Sequence, residues 1–218
     1  GSGEWRLHAS GRLLPSSTRQ AQAGADTTSF TATRDALGAA TSGEGYHQRL
    51  EALGIHLGPA FRSLQEVHRR DGEALVRIAL PSACAGEAVT WAHPALLDGA
   101  LQSIGLTLPQ TEDTEHTYLL TGLERIDLGG PLPESLWCHA RLLNAAGQEP
   151  QPPAWQAEVT LRSLDGGVLG QIRGVQLRRA SRDALARSLG HASGHGLFHD
   201  VVWEDAPAHA PAAASLPD

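Results

Sequence analysis

The chain has 218 residues, enough for one large domain or two small ones. It is 41% hydrophobic and 19% charged with a formal net charge of −7, an ordinary balance for a soluble globular protein. No Lys/Arg-rich run is present to track phosphates, so no nucleic-acid partner is expected, and the basic residues from Arg178 to Arg187 read as a solvated face.

Only Cys84 and Cys138 are present, far apart and without a CxxC pair, so neither a zinc site nor a disulfide framework is expected and a reducing, cytoplasmic setting fits. No apolar run reaches the roughly 18 residues that cross a bilayer. No charged segment precedes an apolar one at the start, so neither a signal peptide nor a membrane is expected. The opening Gly1-Ser2-Gly3 has the look of a cloning remnant and implies a piece of something longer.

Residues 4–14, "EWRLHASGRLL", read as a short strand, and the Ser/Thr/Ala/Gly-rich residues 15–44 as a linker. "YHQRLEALG" reads as a short amphipathic helix capped by Gly54. "RSLQEVHRR" and "EALVRIALP" read as two strands joined at Asp71-Gly72, a strong hairpin signal. A buried helix, "HPALLDGALQSIGL", follows. Four strand-length pieces come next: "YLLTGLERIDLG", "SLWCHARLLN", "AWQAEVTLRSL" and "VLGQIRGVQLRRA", the last two joined at Asp165-Gly166-Gly167. One antiparallel sheet wrapped around one central helix accounts for this order, an α+β fold. From residue 188 the chain turns Gly/His- and then Ala/Pro-rich and reads as a flexible C-terminal interdomain linker.

The central helix raises a question. Residues four apart share a helix face, so Asp98 and Gln102 are neighbours among Leu96, Leu97, Leu101, Ile104 and Leu106. An apolar setting favours the protonated form of a carboxyl. An amide beside it can hold one oxygen, and a protonated, oriented carboxyl is a natural general acid. The bland alternative is a solvent-facing Asp98 with an incidental Gln102 neighbour. Pro94 is tolerated in the first turn, with His93 just before it.

"HPALLDGALQ" is similar to the second active-site motif of dehydratase domains in modular polyketide synthases, an Asp followed four residues later by Gln or His. "GIHLGPAFRSL", residues 54–64, resembles the family's Gly-x-x-x-Gly-Pro-x-Phe segment. "YLLTGLERIDL" stands where the family has a Leu-Pro-Phe-x-x-x-x-Val strand. "WRLHASGRL" resembles the last strand of the first hotdog half, and "VVWEDAP" the lead into a ketoreductase region. The Asp-Gly-Ala-Leu-Gln wording leans toward the trans-acyltransferase type of assembly line. The resemblance implies a double-hotdog fold of which this chain holds the C-terminal half: residues 1–44 a remnant strand of the first half plus linker, residues 45–187 the hotdog domain, residues 188–218 the linker.

The implied reaction is loss of water from a 3-hydroxyacyl thioester on an acyl carrier protein. Asp98 matches the family's acid and Gln102 its partner. No metal and no dissociable cofactor are implied, since phosphopantetheine presents the substrate. His56, Leu57, Gly58, Pro59 and Phe61 of the loop, His93, and Leu120 and Thr121 of the strand are the candidate substrate-binding residues. The implied partners are the carrier protein, flanking synthase domains, and a first hotdog half or homodimer partner covering the open face.

The sequence also departs from the family. The catalytic His lies in His-x-x-x-Gly-x-x-x-x-Pro, and no His here has Gly at +4 with Pro at +9; His68 has Gly72 but then Arg77. Leu120-Thr121 replaces Pro-Phe, and Leu57 replaces the Tyr before Gly-Pro. Other histidines have plainer readings. His56 packs a loop, His93 caps the helix, His8 sits on the remnant strand, and His139 faces solvent. His191, His195, His199 and His209 belong to the tail. Trp91, Trp137 and Trp155 read as packing aromatics. Three functions follow: a dehydratase half needing a base from a partner, a non-catalytic dehydratase-like module for structure or docking, and an oxygen-ring-closing relative.

Overall fold

The computed structural model describes residues 10–14, 27–52, 55–87, 91–110, 115–143 and 152–181. The chain divides into two compact units, residues 1–180 and 181–218, and the architecture below is that of the first.

The elements are α1 (Thr27–Ala36), β1 (Thr41–Ser42), α2 (Glu44–Ala52), β2 (Leu64–Arg70), β3 (Glu73–Ala79), α3 (Pro94–Gly105), β4 (His116–Gly122), β5 (Arg125–Leu128), β6 (Ser135–Leu142), β7 (Ala154–Arg162) and β8 (Val168–Ser181). The sheet runs β1-β2-β3-β6-β7-β8-β4, with β5 also on β8. Every register given is antiparallel, as between Val76 and Cys138 or Ala140 and Val159. Two expected hairpins form where glycine meets the turn's demand: Gly72 at φ 88° and Gly166 at φ 94°, a region open to residues without a Cβ.

Alternation sets the two faces. Val76, Ile78, Leu136, Cys138, Ala140, Val159, Leu161, Ile172 and Val175 all point to one side and are almost fully buried. Leu96, Ala100 and Ile104 of α3 recur at helical spacing and fill that concave face. Each fully buried Leu or Ile contributes about 1.5–3 kcal/mol by transfer alone, so this seam fixes the helix on the sheet. Gly99 lets α3 come close, because a Cβ there would collide with Ser63 Oγ.

The segment read as a linker contains structure. α1 places Phe30, together with Leu37 just beyond it, against Leu75 and Trp137 on the outer face of the sheet. Phe30 meets Trp137 edge-on at 5.7 Å. The single strand expected over "YLLTGLERIDLG" is two, broken at Leu123-Glu124. There β8 carries Gly174 at φ 63°, and Glu124 N donates to Arg173 O at 3.1 Å, re-aiming the chain. α2 starts at Glu44, two residues before the expected Tyr46, where Ser42 Oγ accepts from Glu44 N. Residues 10–14 form no strand; the rest of the remnant-strand reading with His8, the Gly54 cap, and the tail with its histidines and "VVWEDAP" lie outside the described residues. Among the described residues no helix is long and apolar enough to cross a membrane.

Candidate active site

α3 presents Asp98 and Gln102 on one face, both half-buried. Gln102 Nε2 donates to Asp98 Oδ2 at 2.6 Å and to the Phe61 carbonyl at 2.9 Å. The carbonyl can only accept, so it fixes which end of the amide faces it, and the second amide hydrogen falls to the carboxyl. One oxygen of Asp98 is therefore held, while Oδ1 has no hydrogen bond among the described residues. Gln102 Oε1 is buried with no hydrogen-bond partner among the described residues.

Phe61 closes a single turn of 3-10 helix, Pro59–Phe61, behind an extended Gly58. Pro59 at the first position suits that turn because its missing N–H has no partner to lose. Arg62 follows. Its Nε donates to Leu57 O at 3.3 Å, Nη1 pairs with Glu44 at 3.4 Å, and Nη2 pairs with Glu51. Leu57 is half-buried, whereas His56, Gly58, Pro59 and Phe61 are exposed.

His93 caps α3. Its Nδ1 accepts from Ala95 N at 3.1 Å, and Nε2 meets Glu87 Oε2 at 3.0 Å. A neutral ring that accepts at Nδ1 carries its proton at Nε2, which then donates to Glu87. Cys84, Glu87 and His93 bring their ligand atoms within 4.8 Å of one another. A metal at Nε2 would need the proton on Nδ1, against the Ala95 N–H, so the donor set fits a cap and a hydrogen bond to Glu87 better than a metal. Leu120 and Thr121 lie exposed on β4, where Thr121 Oγ1 donates to Gln176 O at 3.3 Å. No hydrogen bond joins them, His56 or His93 to Asp98 or Gln102 among the described residues.

Sequence reasoning missed Tyr46. Its hydroxyl sits over Gly105, one further step along the Asp98–Gln102 stripe, where a Cβ would collide with it. Burial pushes the phenol up to about 12, with the Asp98 charge adding to the effect and Arg49 opposing it. A Tyr in a sequence that reads as a plain amphipathic helix carries no signal of this placement.

Two further expectations are corrected. Trp91 is 51% exposed, beside the capped end of α3, while Trp137 and Trp155 are buried. His139 does not face solvent: its Nε2 bonds Glu73 Oε1 at 2.7 Å on the sheet face that α1 covers. Burial lowers its proton affinity, opposed by Glu73.

The sequence profile described as polyketide synthase dehydratase N-terminal domain matches residues 25–187. A phenolphthiocerol/phthiocerol polyketide synthase of Mycobacterium tuberculosis is 28% identical over 176 residues, 79% of this chain and 9% of that protein. The spectinabilin polyketide synthase system protein NorA' of Streptomyces orinoci is 32% identical over 168 residues, 75% of this chain and 4% of its own. The chain thus spans under a tenth of these curated relatives' length. Among solved structures, the dehydratase domain from the CurJ module of curacin polyketide synthase superposes with TM-score 0.61 at 22% identity, over 71% of this chain and 54% of that one. The CurK dehydratase domain gives 0.59 at 25% identity, over 72% and 53%. Their antiparallel hotdog arrangement is the fold seen here.

Proposed function

The chain belongs to the polyketide synthase dehydratase family, and on that premise we propose that it is the acid-bearing second hotdog half of a dehydratase acting on a 3-hydroxyacyl thioester carried by an acyl carrier protein. The observation that carries the reading is the held carboxyl: Gln102 occupies Asp98 Oδ2 at 2.6 Å and is itself oriented by Phe61 O. A transferable proton then belongs on Oδ1. A base removes the α-proton, the Cα–Cβ double bond forms, the Cβ–O bond breaks, and the Asp98 proton leaves with the hydroxyl as water. Asp98 is left as a carboxylate, which the Gln102 N–H stabilises.

The base comes from a partner half. His93 has both ring nitrogens engaged, and among the described residues no histidine bonds Asp98 or Gln102. Crystal structures of the CurK dehydratase include two inactive mutants, one with a His-to-Phe and one with an Asp-to-Asn substitution, which supports a His and an Asp as the working pair. The matched profile's description names an N-terminal domain. The half assigned here rests instead on the Asp98–Gln102 pair, and structural matches covering about half of each dehydratase domain are in keeping with it. Leu119, Leu120, Leu123 and Ile126 form exposed apolar surface on and between β4 and β5, suited to a partner half or a second copy. His56, Leu57, Gly58, Pro59, Phe61, His93, Leu120 and Thr121 are assigned to the substrate's approach. Flanking synthase domains, a cytoplasmic setting, a trans-acyltransferase assembly line and phosphopantetheine as the only carrier group complete the reading.

Intact-mass spectrometry of a carrier protein loaded with a 3-hydroxyacyl chain tests it. A candidate first half plus this chain should give loss of one water, and Asp98→Asn should abolish it. The engaged His93 favours a second reading, a non-catalytic docking module, which gains if no first half yields water loss while the carrier protein still binds.

A further inference from the structure

We infer that Arg62 is a positioning residue: its three-way bracing of α2 and the Leu57–Phe61 turn aims the Phe61 carbonyl that holds Gln102. The link to catalysis rests on the dehydratase reading above; the mechanical link does not.

The Phe61 C=O and the Arg62 N–H belong to one planar peptide unit, so fixing one fixes the other. The N–H donates to Pro59 O at 3.4 Å, and the opposite side of that plane delivers the carbonyl to Gln102 Nε2 at 2.9 Å. The Arg62 side chain clamps the same turn. Nε reaches Leu57 O at 3.3 Å, at the turn's entrance, and the two terminal nitrogens reach Glu44 and Glu51. Those two acids stand seven residues apart, on one face of α2. A planar fork with fixed donor directions can join three acceptors at once, whereas an ammonium can satisfy them only by swinging. The exposed pairs are individually weak. Their joint effect is geometric: α2, the turn and the Gln102 amide move as one body, and Asp98 Oδ2 is held at its end.

The test is side-chain hydrogen exchange of Gln102 in the full chain, followed by nitrogen-15 NMR, with the amide pair assigned by its loss in Gln102→Glu. Arg62→Ala should speed exchange of that pair roughly five-fold while amides of β3 and β6 keep their protection. Arg62→Lys should also speed it, by less. Should Arg62→Ala not fold, Glu44→Gln with Glu51→Gln leaves the arginine and removes its anchors, and the same direction is expected. Unchanged Gln102 exchange overturns the inference, as does an equal acceleration in β3 and β6, which would mean general loosening. In a complex that releases water, Arg62→Ala should lower kcat through Gln102 and also raise KM, because the Leu57–Phe61 turn it loosens borders the substrate's approach. Exchange that responds in a chain no partner can activate would uphold the bracing and sink the dehydratase reading alone.

Discussion

Ser63 presses its hydroxyl against the backbone of Gly99, so closely that a Cβ on Gly99 would overlap Oγ. The Ser63 side chain is fully buried, and Oγ has no hydrogen-bond partner among the described residues. A glycine inside a helix is unfavourable by about 1 kcal/mol relative to alanine, so the contact decides the residue. Gly99→Ala gains that propensity and loses more to overpacking, for a net destabilisation of about 1–2 kcal/mol. Ser63→Ala removes an unpaired buried hydroxyl and should be neutral or stabilising. The double variant should recover part of the loss in a urea-midpoint double-mutant cycle. Strict additivity would mean that the two side chains do not share this space.

His93 supplies a second test. Replacing an N-cap acceptor by alanine costs about 0.5–2 kcal/mol, and His93→Ala should fall in that range. His93→Asn restores an acceptor for Ala95 N and should recover most of it. With a first half present, His93→Asn keeps the cap but removes the ring assigned to the substrate's approach, so KM for water loss should rise. Loss of activity without loss of stability would make His93 more than a cap.

What could be read from the sequence was whatever short range dictates. Asp71-Gly72 and Asp165-Gly166 announced their hairpins because a turn needs positive φ locally. Asp98 and Gln102 announced each other because four residues make one turn. What could not be read depends on distance. The Phe61 carbonyl that orients Gln102 is 41 positions away, and a backbone acceptor leaves no mark in a sequence. α1 was hidden because the segment anchors through Phe30 and, just past the helix, Leu37, too few for a periodic pattern. That miss caused another. His139 alternates with buried Cys138 and Ala140, so it looked solvent-facing, but Phe30 and Leu37 pack on Trp137 and Leu75 of that face and cover it around His139. Trp91 failed the opposite way, since an aromatic in a loop has no face assigned to it.

The His139–Glu73 pair makes stability depend on pH. Burial lowers the affinity of His139 for a proton, against the pull of Glu73. Burial also works to raise the Glu73 carboxyl, but bonds from His139 and Arg70 outweigh it and hold the carboxyl below its usual range. Both folded-state values lie below the unfolded ones, so the unfolded chain binds the extra proton in each case. Stability is therefore full above the unfolded values, falls as pH drops through about 6.5 for the histidine, and falls again through about 4.3 for the carboxyl. His139→Gln keeps a donor for Glu73 and should flatten the upper limb between about pH 7 and 5. Glu73→Gln should flatten the lower limb. Urea midpoints across pH decide it, and parent-like slopes in both variants would remove the pair from the account.

Asp98 and Gln102 should separate kinetically once a first half supplies the base. Asp98→Asn removes the transferable proton, a loss of about 10²–10⁴-fold in kcat if general-acid transfer is its role. Gln102→Ala leaves the proton and removes its orientation, together with the bond that stabilises the carboxylate after transfer; one lost hydrogen bond to a charged group is worth about 1.5–3 kcal/mol, or roughly 10–150-fold. Gln102→Glu presents oxygen to both the Phe61 carbonyl and Asp98, two acceptors that an ionised carboxylate repels, and should fall below Gln102→Ala despite its closer size. Measured with a carrier-bound 3-hydroxyacyl substrate, the order parent, Gln102→Ala, Gln102→Glu is the signature of a donating amide. Equal activity in both Gln102 variants would mean that the amide only fills space.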